Sequence, residues 1–317
     1  MQTLAVIIEE PKKLALGRLA LNALGADDVI VENEWSGIST GTERLLWSGR
    51  MPHFPGMGYP LVPGYESVGR IVDLGAAVKA SGKFAVGDRV FVPGANCFGD
   101  VRGLFGGAAK TVVLAASRVI GLDEQLGEKG VLLALAATAH HAAPVDGGDA
   151  PDLIIGHGVL GRLIARLAVI SGAQPPVVWE TNAIRAGGAE GYTVIDPATD
   201  TRRDYARICD VSGDSNILDS LMQRLAPGGE ITLAGFYSDR LSFAFPPAFM
   251  REARLRIAAQ WKPNDLAAVT HLVRTGQLSL DGLITHHSDA GDASGAYVTA
   301  FEDATCLKMV LDWRQIS

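Results

Sequence analysis

The chain has 317 residues, of which 48% are hydrophobic and 20% are charged, and its formal net charge is −7. This length suits two domains with cores of their own, and the lack of basic runs argues against nucleic acid as a partner. Three single cysteines argue against a disulfide framework and favour a reducing cytoplasm. The charges within residues 9–13 are unlike a signal peptide, and the longest apolar run, residues 130–139, is too short to span a bilayer.

Residues 1 to about 120 are predicted to form a β-rich unit, because short apolar stretches there alternate with Gly- and Pro-rich turns. Gly87 and Asp88 make one such turn directly before a strand. The predicted strands are Leu4–Ile8, Val29–Trp35, Ser67–Leu74, Arg89–Val92 and Lys110–Leu114.

Residues 123 to about 260 alternate predicted strands and helices, which is the pattern of a parallel, doubly wound sheet. The strands are Leu153–Ile155, Val177–Trp179, Thr193–Ile195, Ile208–Val211, Glu230–Ala234 and Leu255–Ala259. The helices are Lys129–Ala142, Val159–Ser171, Ala183–Gly187 and Ile217–Leu225. The connection between residues 195 and 208 is too short and polar for a full crossover helix. Residues 262–317 are predicted to hold a helix at Asn264–Thr275, a further helix and a last strand near Lys308–Trp313.

A dinucleotide-binding turn is predicted where the strand before Gly156 runs through Gly158 and Gly161 into a helix. Gly156 permits the tight turn, Gly158 lets the backbone approach a pyrophosphate, and Gly161 lets the helix pack close to the strand. The helix begins at Val159 and Leu160, where free N–H groups and the helix dipole favour phosphate. The alternative is a tight turn that binds no ligand.

A carboxylate follows the second strand of this unit. Glu180 lies near the offset at which an acidic side chain meets the hydroxyls of the adenosine ribose. Because a carboxylate repels a 2′-phosphate, NAD is favoured over NADP, although the nearby Arg185 could accept that phosphate. The alternative for Glu180 is an ordinary solvated acid in a loop.

The chain resembles the medium-chain dehydrogenase/reductase family over nearly its whole length. The resemblance lies in the order of a β-rich unit, a nucleotide-binding unit and a short last segment that returns to the β-rich unit. The resemblance implies an α/β protein, with a GroES-like β-rich catalytic domain at residues 1–121 and 262–317. It also implies a Rossmann domain, a doubly wound parallel sheet that binds NAD, at residues 122–261. The matching motifs are Gly64–Gly69, Gly87–Val90, Thr138–Ala142, Gly228–Ile231 and Gly235.

The departures from this family concern zinc. Where zinc-containing members carry a Cys, a His and a second Cys or an acid, this chain has Ser39, Tyr65 and Ala136. A hydroxyl, a phenol and a methyl group do not make a tetrahedral zinc site, so no metal site is predicted. Alcohol oxidation without a Lewis acid needs a side-chain base or a proton relay.

The resemblance implies that Ser39, Glu66 and His140 lie near the chemistry. An imidazole is well suited to accept a proton near neutral pH, a buried Glu66 could do the same, and Ser39 could hold or relay the proton of the alcohol. The alternatives are a structural role for His140 and support of a backbone turn for Glu66. At most one of the adjacent His140 and His141 is expected to face the site.

The cofactor is predicted to contact residues from both parts of the chain. His157, inside the glycine turn, is expected to line the site without doing chemistry. Lys308 is expected either at the pyrophosphate or in solvent. The predicted contacts are Thr40, Thr138, Gly156, His157, Gly158, Val159, Leu160, Gly161, Glu180, Arg185, Ser212, Gly235 and Lys308.

Residues 36–66 are similar to the members of this family that act on bacteriochlorophyllide-type pigments. That resemblance implies NAD-dependent oxidation, without zinc, of a 3-(1-hydroxyethyl) group to a 3-acetyl group. It implies a cytoplasmic enzyme and leaves open an association with the photosynthetic membrane. Arg44 or Arg50 is a candidate partner for a propionate of the pigment. An apolar mouth for the pigment, or else a loop packed on its own core, is expected from Trp47, Met51, Phe54, Met57 and Tyr59.

Two other functions stay open. One is a zinc-free reductase of enones or quinones that uses NADPH, against which Glu180 argues. The other is a dinucleotide-binding protein without catalytic activity, which the lost zinc ligands would also fit. A homodimer formed through an edge strand of the nucleotide domain, Glu230–Ala234 or Leu255–Ala259, is likewise left open.

Overall fold

The structure, a computed structural model, describes residues 1–145, 148 and 150–316. Their contacts form two compact units, Met1–Ala134 with Leu283–Ser317, and Leu135–Gly282. Both boundaries come later in the chain than the predicted ones, after residues 121 and 261. The 3-10 segment Glu124–Leu132 packs on strands of the first unit, and the helix Pro263–Arg274 is tied into the second through Asp265.

The strands and helices are numbered in chain order. The strands are β1 (Gln2–Glu10), β2 (Lys13–Ala20), β3 (Asp28–Ile38), β4 (Leu61–Val62), β5 (Ser67–Leu74), β6 (Arg89–Val92), β7 (Arg102–Gly103), β8 (Thr111–Ala115), β9 (Ile120–Gly121), β10 (Leu153–Ile155), β11 (Val177–Trp179), β12 (Thr193–Ile195), β13 (Tyr205–Asp210), β14 (Leu225–Leu233), β15 (Arg254–Ile257), β16 (His286–Asp289) and β17 (Met309–Asp312). The α-helices are α1 (Thr42–Ser48), α2 (Ala76–Ser81), α3 (Leu133–Ala142), α4 (Val159–Ile170), α5 (Leu218–Arg224), α6 (Phe245–Met250), α7 (Pro263–Arg274) and α8 (Ala293–Glu302).

The first unit is built on two sheets. One has the order β2-β1-β4-β7, and the other has the order β16-β17-β3-β5-β6-β9, with β8 also pairing with β3. The inward side chains of β3, β5 and β8 are apolar, and Val29, Val31, Ile71 and Val112 share one buried core. Strand β3 is the centre of this unit, and its end at Ile38 leads directly into the segment that carries Ser39.

The second unit contains a parallel sheet of six strands in the order β12-β11-β10-β13-β14-β15. The chain starts at the central β10, moves outward to β12 and then crosses to β13, which is the strand order of the Rossmann fold. The predicted doubly wound sheet is therefore confirmed, and β10, β11 and β12 have the predicted bounds. The turn after β10 lies at the point where the strand order reverses, which is where open α/β sheets bind their ligands.

Several elements differ from the prediction. Strand β2 and helices α1, α2 and α6 fall in segments for which no element was predicted. The predicted helix Ala183–Gly187 is a single 3-10 turn, Ala183–Arg185, which the side chain of Asn182 caps. The predicted helix Lys129–Ala142 becomes α-helical only at Leu133, after the 3-10 segment.

The three cysteines, Cys97, Cys209 and Cys306, are all buried. Among the residues that the structure describes, no helix combines the length and the apolar character that a membrane crossing requires.

Candidate active site

The glycine turn of the second unit has the geometry that its three glycines predict. Gly156 has a φ of +100°, which a side chain would disfavour. A Cβ on Gly161 would lie 1.9 Å from the carbonyl oxygen of Gly156, so α4 approaches β10 as closely as only glycine allows. A Cβ on Gly158 would meet no atom of the described residues within 4 Å. The backbone at Gly158, which caps the start of α4, is thus open to a ligand.

The carboxylate of Glu180 holds this turn in place. Its Oε2 accepts from the N–H of His157 at 3.1 Å, and its Oε1 accepts from the N–H of Asn182 at 2.8 Å. Glu180 is half-buried, so the alternative of an ordinary solvated acid does not describe it. The predicted contact with a ribose stays a prediction, and the carboxylate is fixed at the end of β11, where such a contact requires it.

The imidazole of His157 is a structural group. It is fully buried, its Nδ1 lies 2.7 Å from the carbonyl oxygen of Arg185, and its Nε2 lies 2.8 Å from the hydroxyl of Tyr192. Burial lowers the pKa of His157, which favours the neutral ring. Arg162 adds to this network by donating to the carbonyl oxygens of His157 and Gly187 at 3.1 and 2.8 Å. The loop after β11 is therefore tied to the glycine turn by side chains that sequence reasoning did not single out.

A buried acid that the sequence analysis missed lies at the end of β13. Asp210 accepts from the N–H of Ser212 at 2.9 Å and from the hydroxyl of Tyr237 at 2.7 Å. Burial raises the pKa of Asp210. The backbone carbonyl of Asp210 also accepts from the N–H of Gly235 at 3.1 Å. Two predicted cofactor contacts, Ser212 and Gly235, are thus held by Asp210, and its position at the end of a buried strand was the available signal.

Helix α3 brings two histidines to one carboxylate. The Nδ1 of His140 lies 2.8 Å from Oδ1 of Asp265, and the Nδ1 of His141 lies 3.0 Å from Oδ2. Asp265 also accepts from the N–H of Lys262 at 2.8 Å, which caps α7. Although burial works in the opposite direction, the hydrogen bond from His140 contributes to a lowered pKa of Asp265. Thr138, on the same helix, is half-buried.

In the first unit, Ser39 and Tyr65 form a hydroxyl pair. The Oγ of Ser39 lies 2.7 Å from the phenol oxygen of Tyr65. Ser39 is buried, and the neighbouring Thr40 is half-buried in the turn before α1. Burial strongly raises the pKa of the Tyr65 phenol, which therefore stays protonated across the physiological range. Two of the positions at which the family resemblance implied zinc ligands are joined here by a hydrogen bond.

Beneath this pair lies a buried ion pair. The Nζ of Lys308 donates to Oε2 of Glu66 at 2.6 Å and to the carbonyl oxygen of Ile38 at 3.2 Å. Both charged side chains are fully buried, and Oε1 of Glu66 has no hydrogen-bond partner among the residues that the structure describes. Lys308 is therefore not the solvated lysine that was one of its two alternatives. A Cβ on Gly37 would lie 2.5 Å from Oε2 of Glu66, so the glycine in β3 makes room for this carboxylate.

Glu43 is a second buried carboxyl that the sequence analysis did not identify. Its Oε1 accepts from the backbone N–H of Ser39 at 3.2 Å, and its Oε2 accepts from the hydroxyl of Tyr297 at 2.6 Å. Burial raises the pKa of Glu43 to about 7. Among the described residues, no group of three or more His, Cys, Asp and Glu side chains is arranged to hold a metal ion.

The loop predicted to form either an apolar mouth or its own core packs on a core. The side chains of Trp47, Phe54, Met57 and Tyr59 lie against the buried cluster that includes Met51. The ring of Trp47 also lies 5.4 Å from that of Phe301, and the hydroxyl of Tyr59 donates to the carbonyl oxygen of Leu46. Arg44 is exposed.

Comparison with known proteins agrees with this geometry. Residues 25–124 match the model of the alcohol dehydrogenase GroES-like domain. A solved structure of a short chain alcohol dehydrogenase from E. coli CFT073, complexed with NADH, has a TM-score of 0.83 with 20% identity. The match covers 98% of this chain and 99% of that one. At this identity the likeness shows the fold.

Two relatives are similar over their full length. The 2-desacetyl-2-hydroxyethyl bacteriochlorophyllide A dehydrogenase of Rhodobacter capsulatus is 57% identical, over 99% of this chain and 99% of its own. The protein of the same name from Cereibacter sphaeroides is 56% identical, with the same coverage of both chains.

Proposed function

This chain belongs to the medium-chain dehydrogenase/reductase family, and from that premise we propose that it oxidises a 3-(1-hydroxyethyl) group of a bacteriochlorophyllide a precursor to a 3-acetyl group. The chain is a dehydrogenase by its 57% identity with the Rhodobacter capsulatus protein over 99% of both sequences, and this observation carries the proposal. The family predicted from the sequence motifs is confirmed by the same match.

A dehydrogenase of this family uses a nicotinamide cofactor, and the second unit fits one. The open backbone at Gly158 and the first N–H groups of α4, at Val159 and Leu160, suit a pyrophosphate. A bound nicotinamide would supply the acceptor for the hydride of the alcohol carbon. We propose NAD as the cofactor, because Glu180 is fixed beside the glycine turn and would repel a 2′-phosphate.

The first unit supplies a place for the alcohol oxygen. In our proposal the Ser39–Tyr65 hydroxyl pair holds this oxygen, since each hydroxyl can both donate and accept a hydrogen bond. The protonated phenol of Tyr65 acts as a relay and not as a phenolate. Glu66 is engaged at Oε2 by Lys308, while its unpartnered Oε1 keeps it a candidate for taking up a proton.

His140 remains the proposed general base. Its Nδ1 is engaged by Asp265, so Nε2 is the proton-accepting nitrogen of a neutral ring that donates from Nδ1. A carboxylate that orients a histidine in this way also stabilises the imidazolium that forms on protonation. His141 makes the same kind of contact with Asp265, which offers a direct comparison between the two rings.

A homodimer through β15 is part of the proposal. β15 is an edge strand of the sheet, and Leu255 and Ile257 on it are 40% and 68% exposed. The adjacent α6 leaves Phe245, Phe249 and Met250 between 64% and 75% exposed. A contiguous exposed apolar surface beside an open strand edge is typical of a protein interface. Light scattering should give the dimer mass, and Ile257→Lys should give the monomer.

The function is tested with purified, chelator-treated protein, NAD and 3-hydroxyethyl bacteriochlorophyllide a. We expect NADH formation together with a shift of the pigment absorption. NADP in place of NAD should support much slower turnover. If the protein binds NAD but does not oxidise the pigment, the pigment assignment is wrong. Reduction of enones or quinones with NADPH would then indicate the reductase that was the alternative, and no turnover at all would indicate a binding protein.

A further inference from the structure

Glu43 is a buried ionisable residue of the first unit that has no role in the mechanism above. Glu43 lies in the first turn of α1 and is fully buried. Its carboxyl group contacts the backbone of Ser39, the residue proposed to hold the alcohol. Its other oxygen contacts Tyr297, which belongs to α8.

The charges around Glu43 do not balance. In the described part of this region, the buried carboxyl and ammonium groups are those of Glu43, Glu66 and Lys308. The ammonium of Lys308 is hydrogen-bonded to Glu66. Both hydrogen-bond donors to Glu43, a backbone N–H and a phenol, are neutral. Two buried carboxyls therefore share one buried cation, and the cation is in contact with the other carboxyl.

The surroundings of Glu43 raise the pKa of its carboxyl group. Burial is the main cause that raises the pKa of Glu43 to about 7, and the negative charge of Glu66 raises it further. The hydrogen bond from Tyr297, the N–H of Ser39 and the more distant charge of Lys308 act in the opposite direction. In turn, the pKa of the Tyr65 phenol is raised mainly by burial, and the charges of Glu66 and Glu43 raise it further. Protonation of Glu43 is thus felt at the hydroxyl pair.

We propose that Glu43 is a positioning residue for the alcohol site, which fixes Ser39 through its backbone N–H and switches the charge beneath the Ser39–Tyr65 pair by gaining or losing a proton. The inference rests on the proposed oxidation of a secondary alcohol. An ionised carboxylate holds an N–H about twice as strongly as a neutral group does. Its negative charge also makes the nearby hydroxyls better proton acceptors. The ionised form is therefore the form that supports alcohol oxidation.

The first test is the pH profile of alcohol oxidation by the wild-type protein and two variants. In the wild type, kcat should rise through an ionisation near pH 7. Glu43→Gln keeps an acceptor for the N–H of Ser39 but cannot ionise, so this rise should vanish. Its kcat should fall about tenfold above the wild-type transition, with KM little changed.

Tyr297→Phe tests the ionisation of Glu43 through its hydrogen-bond donor. It removes the hydrogen bond that lowers the pKa of Glu43, so the transition should move to higher pH while the plateau above it is kept. Glu10→Gln is the control, because Glu10 is an exposed acid of β1 that pairs with Lys13. This variant should leave the pH profile of kcat unchanged. A wild-type transition that persists in Glu43→Gln, or fails to move in Tyr297→Phe, overturns the inference.

A second measurement separates this inference from the proposed function. Infrared difference spectra of the substrate-free protein should show a buried carboxylic acid that titrates near pH 7, absent from Glu43→Gln. If the wild type oxidises the pigment but the pH profiles of wild type and Glu43→Gln coincide, only the inference fails. If the wild type does not oxidise the pigment, the proposed function fails and the role of Glu43 in it falls as well, whatever the infrared titration shows.

Discussion

The ammonium of Lys308 lies 2.6 Å from a carboxylate oxygen of Glu66, and the two side chains are only 1% and 0% exposed. Lys308 precedes β17, whereas Glu66 precedes β5, so the pair joins segments that are 242 residues apart in the chain. A buried ion pair contributes little when it is compared with an apolar pair of the same volume. It becomes indispensable once one partner is removed, because the other charge is then left without compensation.

Lys308→Met should therefore destabilise the protein by about 3–5 kcal/mol, because it leaves the carboxylate of Glu66 buried and unpaired. Urea unfolding followed by circular dichroism measures this loss. Lys13→Met, which breaks an exposed pair with Glu9, is the matched control and should barely move the midpoint. Equal shifts in the two variants would contradict the burial of the Lys308–Glu66 pair.

Substitutions at two glycines of the turn should distinguish an effect on folding from an effect on cofactor binding. A methyl group at Gly161 would collide with the carbonyl oxygen of Gly156, so Gly161→Ala should cost about 1–3 kcal/mol and also weaken NAD binding. A methyl group at Gly158 meets nothing, so Gly158→Ala should change stability by less than about 1 kcal/mol. Its NAD affinity should nevertheless fall at least about tenfold, because the methyl group occupies the approach of the pyrophosphate. Thermal melts measure the stability of both variants, and calorimetric titration measures their NAD affinity. Unchanged NAD affinity in Gly158→Ala would contradict the proposed site.

Glu180 should set the choice between NAD and NADP. Glu180→Gln keeps an acceptor for the N–H of Asn182 or of His157 but loses the negative charge. We expect NAD affinity to fall about tenfold and the discrimination against NADP to shrink by more, since the repulsion of the 2′-phosphate disappears. Dissociation constants for both cofactors test this. Unchanged discrimination would mean that Glu180 serves the glycine turn alone.

The two histidines on α3 allow a matched comparison. His140→Ala and His141→Ala each remove one hydrogen bond to Asp265, so their effects on stability should be similar. If His140 is the general base, only His140→Ala should lower kcat, by about 100- to 10,000-fold. Steady-state kinetics of both variants, beside their melting temperatures, make the distinction. A similar small loss of kcat in both would assign His140 a structural role.

Glu43 should make the stability of the protein depend on pH. Its pKa rises from an ordinary 4.5 to about 7 on folding, so the folded state takes up a proton. The stability that this uptake contributes is fully present below about pH 4.5 and is lost as the pH rises through about 7. Relative to Glu43→Gln, the wild type should lose about 3 kcal/mol of unfolding free energy across this range. Urea midpoints at a series of pH values measure the difference, and parallel curves would contradict it.

The part of the site that the sequence predicted is local in the chain. Gly156, Gly158 and Gly161 follow one strand and open one helix, so each has a role fixed by its immediate neighbours. Glu180 is also predictable, because it directly follows the next strand and parallel strands end at the same edge of the sheet. The order of strands and helices from residue 153 onward is regular enough to give the doubly wound sheet without knowledge of long-range contacts.

The rest of the site depends on contacts between distant segments. Glu43 looks like an ordinary acid at the start of a helix until α8 brings Tyr297, 254 residues later, against it. Lys308 looks like a surface lysine until β17, the strand that follows it, is placed beside β3. Likewise, the shared partner of His140 and His141 lies 125 residues from the first of them, and no periodicity in the sequence indicates it.

The position of β17 has a consequence for how the protein is made. This strand lies between β16 and β3, and Trp313 just beyond it donates to the hydroxyl of Ser36, 277 residues earlier. During synthesis on the ribosome, the sheet of the first unit therefore cannot be completed until residues 309–313 have been made. The residues of the second unit, Leu135–Gly282, are made as one continuous segment. The unit that contains β1 is thus completed during translation only after the unit inserted within it.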